Sequence, residues 1–241
     1  MPITVKCLAS GSMGNSYAVD DGKSVLLLEA GIRSKKIMIG YEPLLPRVAG
    51  CLITHGHQDH AKFASDLAAA GIDLFMTSGT LHEVADKYGA IDRPYRVHTV
   101  RAGEQFSLAS WIVMPFETEH DAMEPCGYLL YSTAAREKLL FATDTYYIPN
   151  TFRALNVIMV ECNYSQELIS RSVAEGRIPE SMKHRIERAH FSLENVKDFL
   201  RANDMSTVRH IYLIHISRNN GDPKQFKREI QRLTGVPVTA L

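Results

Sequence analysis

Residues able to bind metal ions are concentrated in one short segment of this 241-residue chain. The segment Thr54-His-Gly-His-Gln-Asp-His60 holds three histidines and one aspartate within six positions. Such an HxHxDH pattern is hard to explain as packing and should arise by chance in about one such chain in a thousand. Imidazole and carboxylate ligands together suit zinc, manganese or iron rather than calcium. The spacing therefore predicts a metal site in which His55 and His57 reach one ion and Asp59 and His60 reach a second.

Three further candidate ligands stand where predicted strands end. His120 follows the apolar run at 111–117, Asp144 follows 138–143, and His215 follows 209–214. Polar residues at the point where a buried strand leaves its sheet are favoured positions for active-site groups. Each of the three could by itself be a structural residue. Together with the HxHxDH segment, they are expected to complete a two-metal site.

The elements that must position these residues alternate in a recognisable way. Both halves of the chain contain predicted strands followed by helices, which favours two packed sheets with helices outside. We expect an α/β protein built as a four-layer αββα sandwich. The predicted strands are 5–9, 16–20, 24–29, 49–54, 72–77, 96–100, 104–108, 111–117, 126–132, 138–143, 157–161, 209–214 and 236–239, and the predicted helices are 60–70, 79–88, 165–174, 193–202 and 223–233.

Composition excludes several classes of protein. Hydrophobic residues make up 45% of the chain and charged residues 22%, and the formal net charge is zero. These values are ordinary for a folded globular protein and argue against binding of nucleic acid by bulk charge alone. No apolar run reaches the roughly 18 residues that a membrane-spanning helix needs, and the N-terminus lacks the pattern of a secretory signal. We therefore expect a cytoplasmic protein with no membrane association, whose cysteines at 7, 51, 126 and 162 are reduced.

Six further segments of the chain stand out beside the HxHxDH segment. They are Leu8-Ala-Ser-Gly-Ser-Met-Gly-Asn-Ser16, His120-Asp-Ala-Met-Glu-Pro-Cys-Gly-Tyr128, Ala142-Thr-Asp-Thr145, Glu161-Cys-Asn-Tyr164, His190-Phe-Ser192 and His215-Ile-Ser-Arg-Asn-Asn220. The order HxHxDH, His, Asp, His resembles that of the metallo-β-lactamase superfamily, and the six segments resemble those of one branch of it, the YycJ/WalJ family. Because these segments span most of the chain, we expect a single metallo-β-lactamase-like domain over residues 1–241.

The resemblance implies a fold, a ligand set and an activity. It implies the αββα sandwich and two divalent metal ions, either Zn²⁺ or Mn²⁺. It also implies hydrolysis of phosphodiester bonds, 5′-to-3′ exonuclease activity on DNA, and a role in mismatch repair. One position departs from the family, since Glu29 stands where the family usually has Asp, and a longer side chain could shift the geometry of a group that supports the metal ligands. In the implied ligand set, His55, His57 and His120 hold one ion, Asp59, His60 and His215 hold the other, and Asp144 bridges them.

Catalytic and substrate-binding roles follow from the same chemistry. Metal binding brings the pKa of bound water to about 7, so we expect Asp59 and Asp144 to orient an attacking water. We expect His190 to act as the general acid, on the basis of the resemblance. The Gly-punctuated turn with Ser10, Ser12 and Asn15 could hold a terminal phosphate, or it could be an ordinary turn. The remaining expected substrate contacts are Asn163, Ser192 at a helix N-terminus, and Arg218.

Two classes of substrate and two further classes of protein remain open at this stage. Net charge of zero favours a small-molecule hydrolase of the same fold, acting on a cyclic phosphodiester, thioester or lactone. The family segments favour a nuclease acting on DNA ends, with 5′-phosphorylated ends preferred. A diiron redox protein is disfavoured because flavodiiron relatives have Glu where His57 stands and carry a flavin domain. A binding protein with an inactive site is disfavoured by the complete ligand set.

Overall fold

A computed structural model describes residues 1–241 and contains two compact units. Unit 1 comprises residues 1–117 and 122–137, and unit 2 comprises residues 118–121 and 138–241. The expectation of a single domain over residues 1–241 stays a prediction.

Unit 1 contains a six-stranded sheet whose strands follow chain order. The first three strands are antiparallel and the last four are parallel, so the third strand belongs to both arrangements. That third strand is buried along its whole length, as expected where both faces of a sheet are covered. The strands are β1 (Thr4–Ala9), β2 (Ser16–Asp20), β3 (Val25–Leu28), β4 (Val48–Leu52), β5 (Leu74–Thr77) and β6 (Val97–Val100).

Four α-helices and two short 3₁₀ helices connect these strands. The sequence predicts one helix over 60–70, and this prediction is wrong, because the helix is interrupted at Lys62 and Phe63. The interruption has a local cause, since the Phe63 N–H donates to the Ala30 carbonyl at 3.0 Å rather than to a carbonyl of its own helix. The α-helices are α1 (Ser34–Gly40), α2 (Gln58–Ala61), α3 (Ala64–Ala69) and α4 (Ser78–Tyr88), and the 3₁₀ helices are Glu42–Arg47 and Pro94–Arg96.

Unit 1 also contains three antiparallel strands, β7 (Phe106–Leu108), β8 (Trp111–Glu117) and β9 (Cys126–Ser132). Their inner face packs against the six-stranded sheet. Tyr128 of β9 is fully buried and donates its hydroxyl hydrogen to the carbonyl of Ile53, at 2.7 Å. A buried tyrosine normally finds a partner for its hydroxyl, so this bond fixes β9 beside the end of β4.

Unit 2 has four parallel strands in the order β13-β12-β11-β10. Ser192 caps the N-terminus of one of its helices, because its hydroxyl accepts from the N–H of Asn195. The strands are β10 (Glu137–Ala142), β11 (Val157–Glu161), β12 (His210–Ile214) and β13 (Val238–Ala240), and the helices are α5 (Gln166–Ala174), α6 (Glu180–Ala189), α7 (Leu193–Ala202) and α8 (Pro223–Thr234).

The α/β class is confirmed, with thirteen strands in two sheets and eight α-helices. Two helices were not predicted from the sequence: α1, which has no capping side chain, and α6, whose only buried residue is Ala189. No helix of the structure has the length and apolar character that crossing a bilayer requires.

Candidate functional site

The HxHxDH segment of unit 1 lies between the end of β4 and the start of α2. His55 is buried and His57 is partly exposed, and their ring centroids are 4.7 Å apart with nearly perpendicular planes. Each of these two histidines offers a ligand atom within 4.8 Å of the other. The loop lies very close to α4: a Cβ at Gly56 would be only 2.7 Å from Cγ of Glu83. The absence of a side chain at Gly56 therefore lets the two histidines sit close to α4.

Asp59 and His60 follow in the first turn of α2. The Asp59 Oδ2 atom lies 3.3 Å from Nε2 of His60, and the His60 ring is 4.2 Å from that of His55. His60 is completely buried, whereas the Asp59 carboxylate is partly exposed. The four predicted ligands of unit 1 are thus gathered within a few ångströms of one another.

Glu29, the position at which the sequence departs from the YycJ/WalJ family, supports two of these histidines. It is completely buried and accepts a hydrogen bond from the Thr54 hydroxyl at 2.7 Å, while its other oxygen lies 3.6 Å from Nδ1 of His60. The Thr54 hydroxyl oxygen lies 2.9 Å from Nδ1 of His55. Because the single hydroxyl hydrogen goes to Glu29, Nδ1 of His55 must donate to Thr54. The Nε2 atom of His55 then carries the lone pair that a metal ligand needs.

The electrostatics of Glu29 agree with a role inside the site. Burial raises the pKa of Glu29, and the neighbouring His60 charge and the hydrogen bonds from Thr54 only partly offset that effect. Its backbone is held at φ 68°, in the left-handed region that residues with a Cβ rarely occupy. A buried carboxylate in such a conformation indicates that the surrounding structure fixes it in place.

Glu29→Ala should weaken metal retention by roughly 10–100-fold, because residues that orient metal-binding histidines contribute that much to affinity. Glu29→Asp should preserve or raise activity, since it restores the residue usual in the family. Metal content after dialysis against a graded chelator series measures the effect, and Glu29→Gln, which keeps the size and removes the charge, is the matched control. Unchanged metal content in Glu29→Ala would show that Glu29 does not support the ligands.

The turn between β1 and β2 is closed by Asn15, which the sequence analysis assigned to substrate binding. Asn15 is buried, and its amide nitrogen lies 3.1 Å from the Asp59 carbonyl and 3.1 Å from Nε2 of His60. Its amide oxygen accepts from the Gly11 N–H at 2.8 Å. These contacts fit a residue that positions the ligand segment. The substrate-binding role of Asn15 stays a prediction.

Ser10 and Ser12 belong to the same turn. The Ser10 hydroxyl lies 2.9 Å from the Tyr17 hydroxyl, and Ser12 is exposed. The predicted phosphate contacts of both serines stay predictions.

The predicted ligands of unit 2 converge on Asp144, which directly follows β10 and Thr143. Asp144 is buried, and its Oδ2 atom lies 3.7 Å from Nε2 of His120. Its Oδ1 atom lies 3.4 Å from Nδ1 of His215, the residue that directly follows β12. Asp144 and His215 both have positive φ angles, 47° and 53°. The chain thus turns sharply at the ends of two parallel strands and brings both side chains to one edge of the sheet.

Hydrogen bonds fix which ring nitrogen of His120 is available. Nδ1 of His120 lies 2.7 Å from the carbonyl oxygen of Ala189, which can only accept. Nδ1 therefore donates, and Nε2, the atom facing Asp144, carries the lone pair. In both His55 and His120, Nδ1 donates a hydrogen bond and Nε2 is left with a lone pair, as a ligand of a divalent metal ion requires.

Glu161 lies at the centre of this cluster, although the sequence did not single it out as a candidate site residue. It ends β11, is completely buried, and lies 2.7 Å from Nδ1 of His190 and 3.1 Å from Nδ1 of His215. It also accepts from the backbone N–H groups of Thr145 and Phe191. Asp144, Glu161, His190 and His215 offer ligand atoms within 4.8 Å of one another. The signal available in the sequence was a single carboxylate at the end of the apolar run Val157–Glu161.

Glu161 and His190 stabilise each other's charged forms. Burial acts to raise the pKa of Glu161, but the charge and hydrogen bond of His190 bring it below its ordinary value despite Asp144. Burial acts to lower the pKa of His190, but Glu161 outweighs burial and the net pKa of His190 is raised. Since Nδ1 of His190 is held by Glu161, its Nε2 atom is the one that can give a proton to a substrate.

The other predicted substrate contacts of unit 2 are placed in different ways. Asn163 is buried, and its amide nitrogen donates to the carbonyl of His215 at 3.0 Å. Ser192 is buried and its hydroxyl is engaged in capping α7. Arg218 is exposed on the loop after β12. The substrate-binding roles of these three residues stay predictions.

Comparison with known proteins identifies similar sequences. The family described as "Beta-lactamase superfamily domain" matches residues 33–216. The chain is 28% identical to "Exodeoxyribonuclease YycJ" of Bacillus anthracis over 230 residues, which covers 91% of this chain and 84% of the relative. It is 29% identical to "Exodeoxyribonuclease WalJ" of Streptococcus pneumoniae over 227 residues, which covers 88% of this chain and 81% of the relative.

Comparison with solved structures addresses the fold. The metallo-β-lactamase fold protein YhfI of Bacillus subtilis superposes with a TM-score of 0.73 at 12% identity, over 100% of this chain and 97% of the other. At such low identity the likeness speaks for the fold alone. It confirms the fold class that the sequence predicts.

Proposed function

This chain belongs to the family described as "Beta-lactamase superfamily domain". From that premise we propose that it is a dinuclear metal-dependent phosphodiesterase acting as a 5′-to-3′ DNA exonuclease. The coarser statement, that the chain is a metal-dependent hydrolase, follows from the family and its relatives. The observation that carries the proposal is the full set of seven predicted ligands at loop and strand ends, in a chain similar along most of its length to two exodeoxyribonucleases.

We propose that the predicted ligands hold two divalent ions, either Zn²⁺ or Mn²⁺. His55, His57 and His120 would hold one ion, Asp59, His60 and His215 the other, and Asp144 would bind both. Support comes from the buried carboxylates and from the hydrogen bonds that direct Nε2 of His55 and of His120 toward coordination. Such ions polarise the phosphoryl oxygens and activate water near neutral pH.

The side chains of this chain supply the remaining chemistry. Asp59 and Asp144 would orient the attacking water, and His190 would donate a proton to the leaving alkoxide. Glu161 would keep His190 protonated and aimed, because its carboxylate accepts from Nδ1 at 2.7 Å. A positioned general acid contributes typically 10²–10⁴-fold to a rate, so the Glu161–His190 pair accounts for a substantial part of the expected catalysis.

We propose that the substrate is a DNA end with a 5′-phosphate held by the turn with Ser10 and Ser12. Support comes from the family segments in the sequence and from the exposed position of Ser12. We also propose a cytoplasmic location and a role in DNA repair; the four cysteines are all unbridged, as expected for a reducing compartment.

Duplexes with a 5′-phosphate should be degraded faster than matched duplexes with a 5′-hydroxyl, and binding should depend only weakly on salt. A chain of zero net charge is expected to make few phosphate contacts, with Arg218 as the first candidate and Arg171, Arg177 and Lys183 of unit 2 as further ones. Each neutralised phosphate contributes about −0.9 to the slope of log K against log salt, so we expect a total of about −2 to −4. Rates and affinities for both duplexes across a salt series measure the effect.

Two outcomes of that experiment would contradict the proposal in different ways. Equal rates on the two kinds of end would remove the 5′-phosphate site and leave the exonuclease. No degradation of either duplex, with turnover of a thioester or cyclic phosphodiester in parallel assays, would identify a small-molecule hydrolase of the same fold, the function that the zero net charge favours.

A further inference from the structure

A groove on the surface of unit 1 begins at the predicted metal ligand Asp59. Its volume is about 480 Å³, and three cations, Arg33, Lys36 and Lys62, line it. Asp59 is the only acidic residue in its wall. The groove is therefore positively charged, although the surrounding part of the sequence is acidic: residues 1–164 hold 18 Asp and Glu but only 14 Lys and Arg.

The three cations are exposed and form no ion pair with a carboxylate of this chain. Other cations of the protein are engaged in that way: Arg47 with Asp20, and Lys87 with Glu83. An exposed cation without a carboxylate partner retains its full charge for a ligand, because no neighbouring anion neutralises it. Three such cations along one groove therefore give it a positive charge that complements a molecule with several negative charges.

The backbone fixes the positions of these cations relative to Asp59. Arg33 is the residue before α1, and Lys62 is the residue after α2, so both stand at the ends of the segments that meet at Asp59. A Cβ at Gly31 would lie 1.6 Å from the Asp59 carbonyl oxygen, which shows how closely the two segments pack. The Ala30 N–H donates to the His60 carbonyl at 2.6 Å, and this bond joins the same two segments.

The groove also has an apolar side. Met13 lies in its wall and is 80% exposed, and Phe63 lies beside Lys62, whose ammonium group is 5.8 Å from the centre of the Phe63 ring. Nucleic acid strands present phosphates together with apolar sugar and base faces, and proteins that track single strands combine cations with apolar or aromatic side chains. A single small anion would use only one of these features.

We propose that this groove binds the sugar–phosphate backbone of the nucleic acid strand beside the bond that is cleaved, with Arg33, Lys36 and Lys62 contacting successive phosphates. The inference rests on the proposed phosphodiesterase function and adds the surface that holds the strand. It assigns strand contacts to unit 1, in addition to those expected from Arg218 in unit 2.

The test compares two triple variants that remove the same charge from different grooves. The first is Arg33→Gln, Lys36→Gln and Lys62→Gln. The control is Arg201→Gln, Arg228→Gln and Arg232→Gln, which neutralises the basic groove between α7 and α8 in unit 2. For each protein, kcat/KM is measured on a single-stranded oligonucleotide and on a small chromogenic phosphodiester, together with metal content and the salt dependence of oligonucleotide binding.

In the first variant, the ratio of oligonucleotide to small-diester turnover should fall by about tenfold or more at low salt, and the binding slope should become shallower by about 2. The control variant should keep the wild-type ratio and slope. A wild-type ratio in the first variant, or an equal fall in both variants, would overturn the groove assignment while leaving the phosphodiesterase intact. If the wild-type protein cleaves neither substrate in the presence of Zn²⁺ or Mn²⁺, the proposed function itself fails.

Discussion

Asp144→Ala and His57→Ala should each lower phosphodiester hydrolysis by about three orders of magnitude or more and reduce bound metal. Metal ions supply several kcal/mol of transition-state stabilisation, and about 1.4 kcal/mol changes a rate tenfold. Asp144 is buried with its two oxygens facing His120 and His215, so its removal leaves both histidines without the carboxylate between them. Initial rates on a DNA substrate and metal per chain by mass spectrometry measure the effect.

The matched controls are His82→Ala and Asp86→Ala. These two residues form an exposed pair on α4, 3.4 Å apart, and lie outside the predicted ligand set. Both control variants should keep wild-type rates and metal content. Full activity in both Asp144→Ala and His57→Ala would contradict the two-metal mechanism.

His190→Gln should slow hydrolysis of an ordinary DNA phosphodiester by about 10²–10⁴-fold but have little effect on a diester with a nitrophenolate leaving group. A general acid matters in proportion to the basicity of the leaving group, and nitrophenolate leaves without protonation. Glu161→Gln should show the same selectivity to a smaller degree, because it removes the charge that raises the pKa of His190. The measurement is the ratio of kcat on the two substrates.

The control for this pair is His184→Ala, an exposed histidine on α6, the helix that ends directly before His190. It should leave the ratio of the two rates as in the wild type. Equal losses on both substrates in His190→Gln would exclude a general-acid role and leave His190 as a structural residue.

The positions of the predicted ligands could be inferred from the sequence because the end of a buried strand is marked by the change from apolar to polar residues. Apolar runs that stop at a polar residue predicted Asp144 and His215 correctly as residues at one edge of a sheet. The HxHxDH segment was readable for the same reason, since it follows the buried strand β4. In these cases the position of a residue in the fold depends only on local sequence, because the residue comes just after a strand that the sequence predicts.

Features that depend on contacts between distant segments could not be inferred in this way. In the sequence, Glu161 is one of several polar residues that end an apolar run. What distinguishes it is its contact with His190, which is 29 positions away and cannot be inferred from local sequence. The break between α2 and α3 depends on the carbonyl of Ala30. Asn15 looks like a turn residue in the sequence, whereas its amide in fact reaches Asp59 and His60, 44 and 45 positions along the chain.

Three residues of the predicted site have a backbone conformation that lowers the stability of the protein. They are Glu29, Asp144 and His215, all in the left-handed region. Each costs about 1–3 kcal/mol, a considerable part of the 5–15 kcal/mol by which a typical domain is stable. Glycine at any of these positions would relieve the strain and remove the side chain that the site requires. We therefore expect glycine variants at these positions to gain thermal stability while losing the side chains on which the predicted metal site depends.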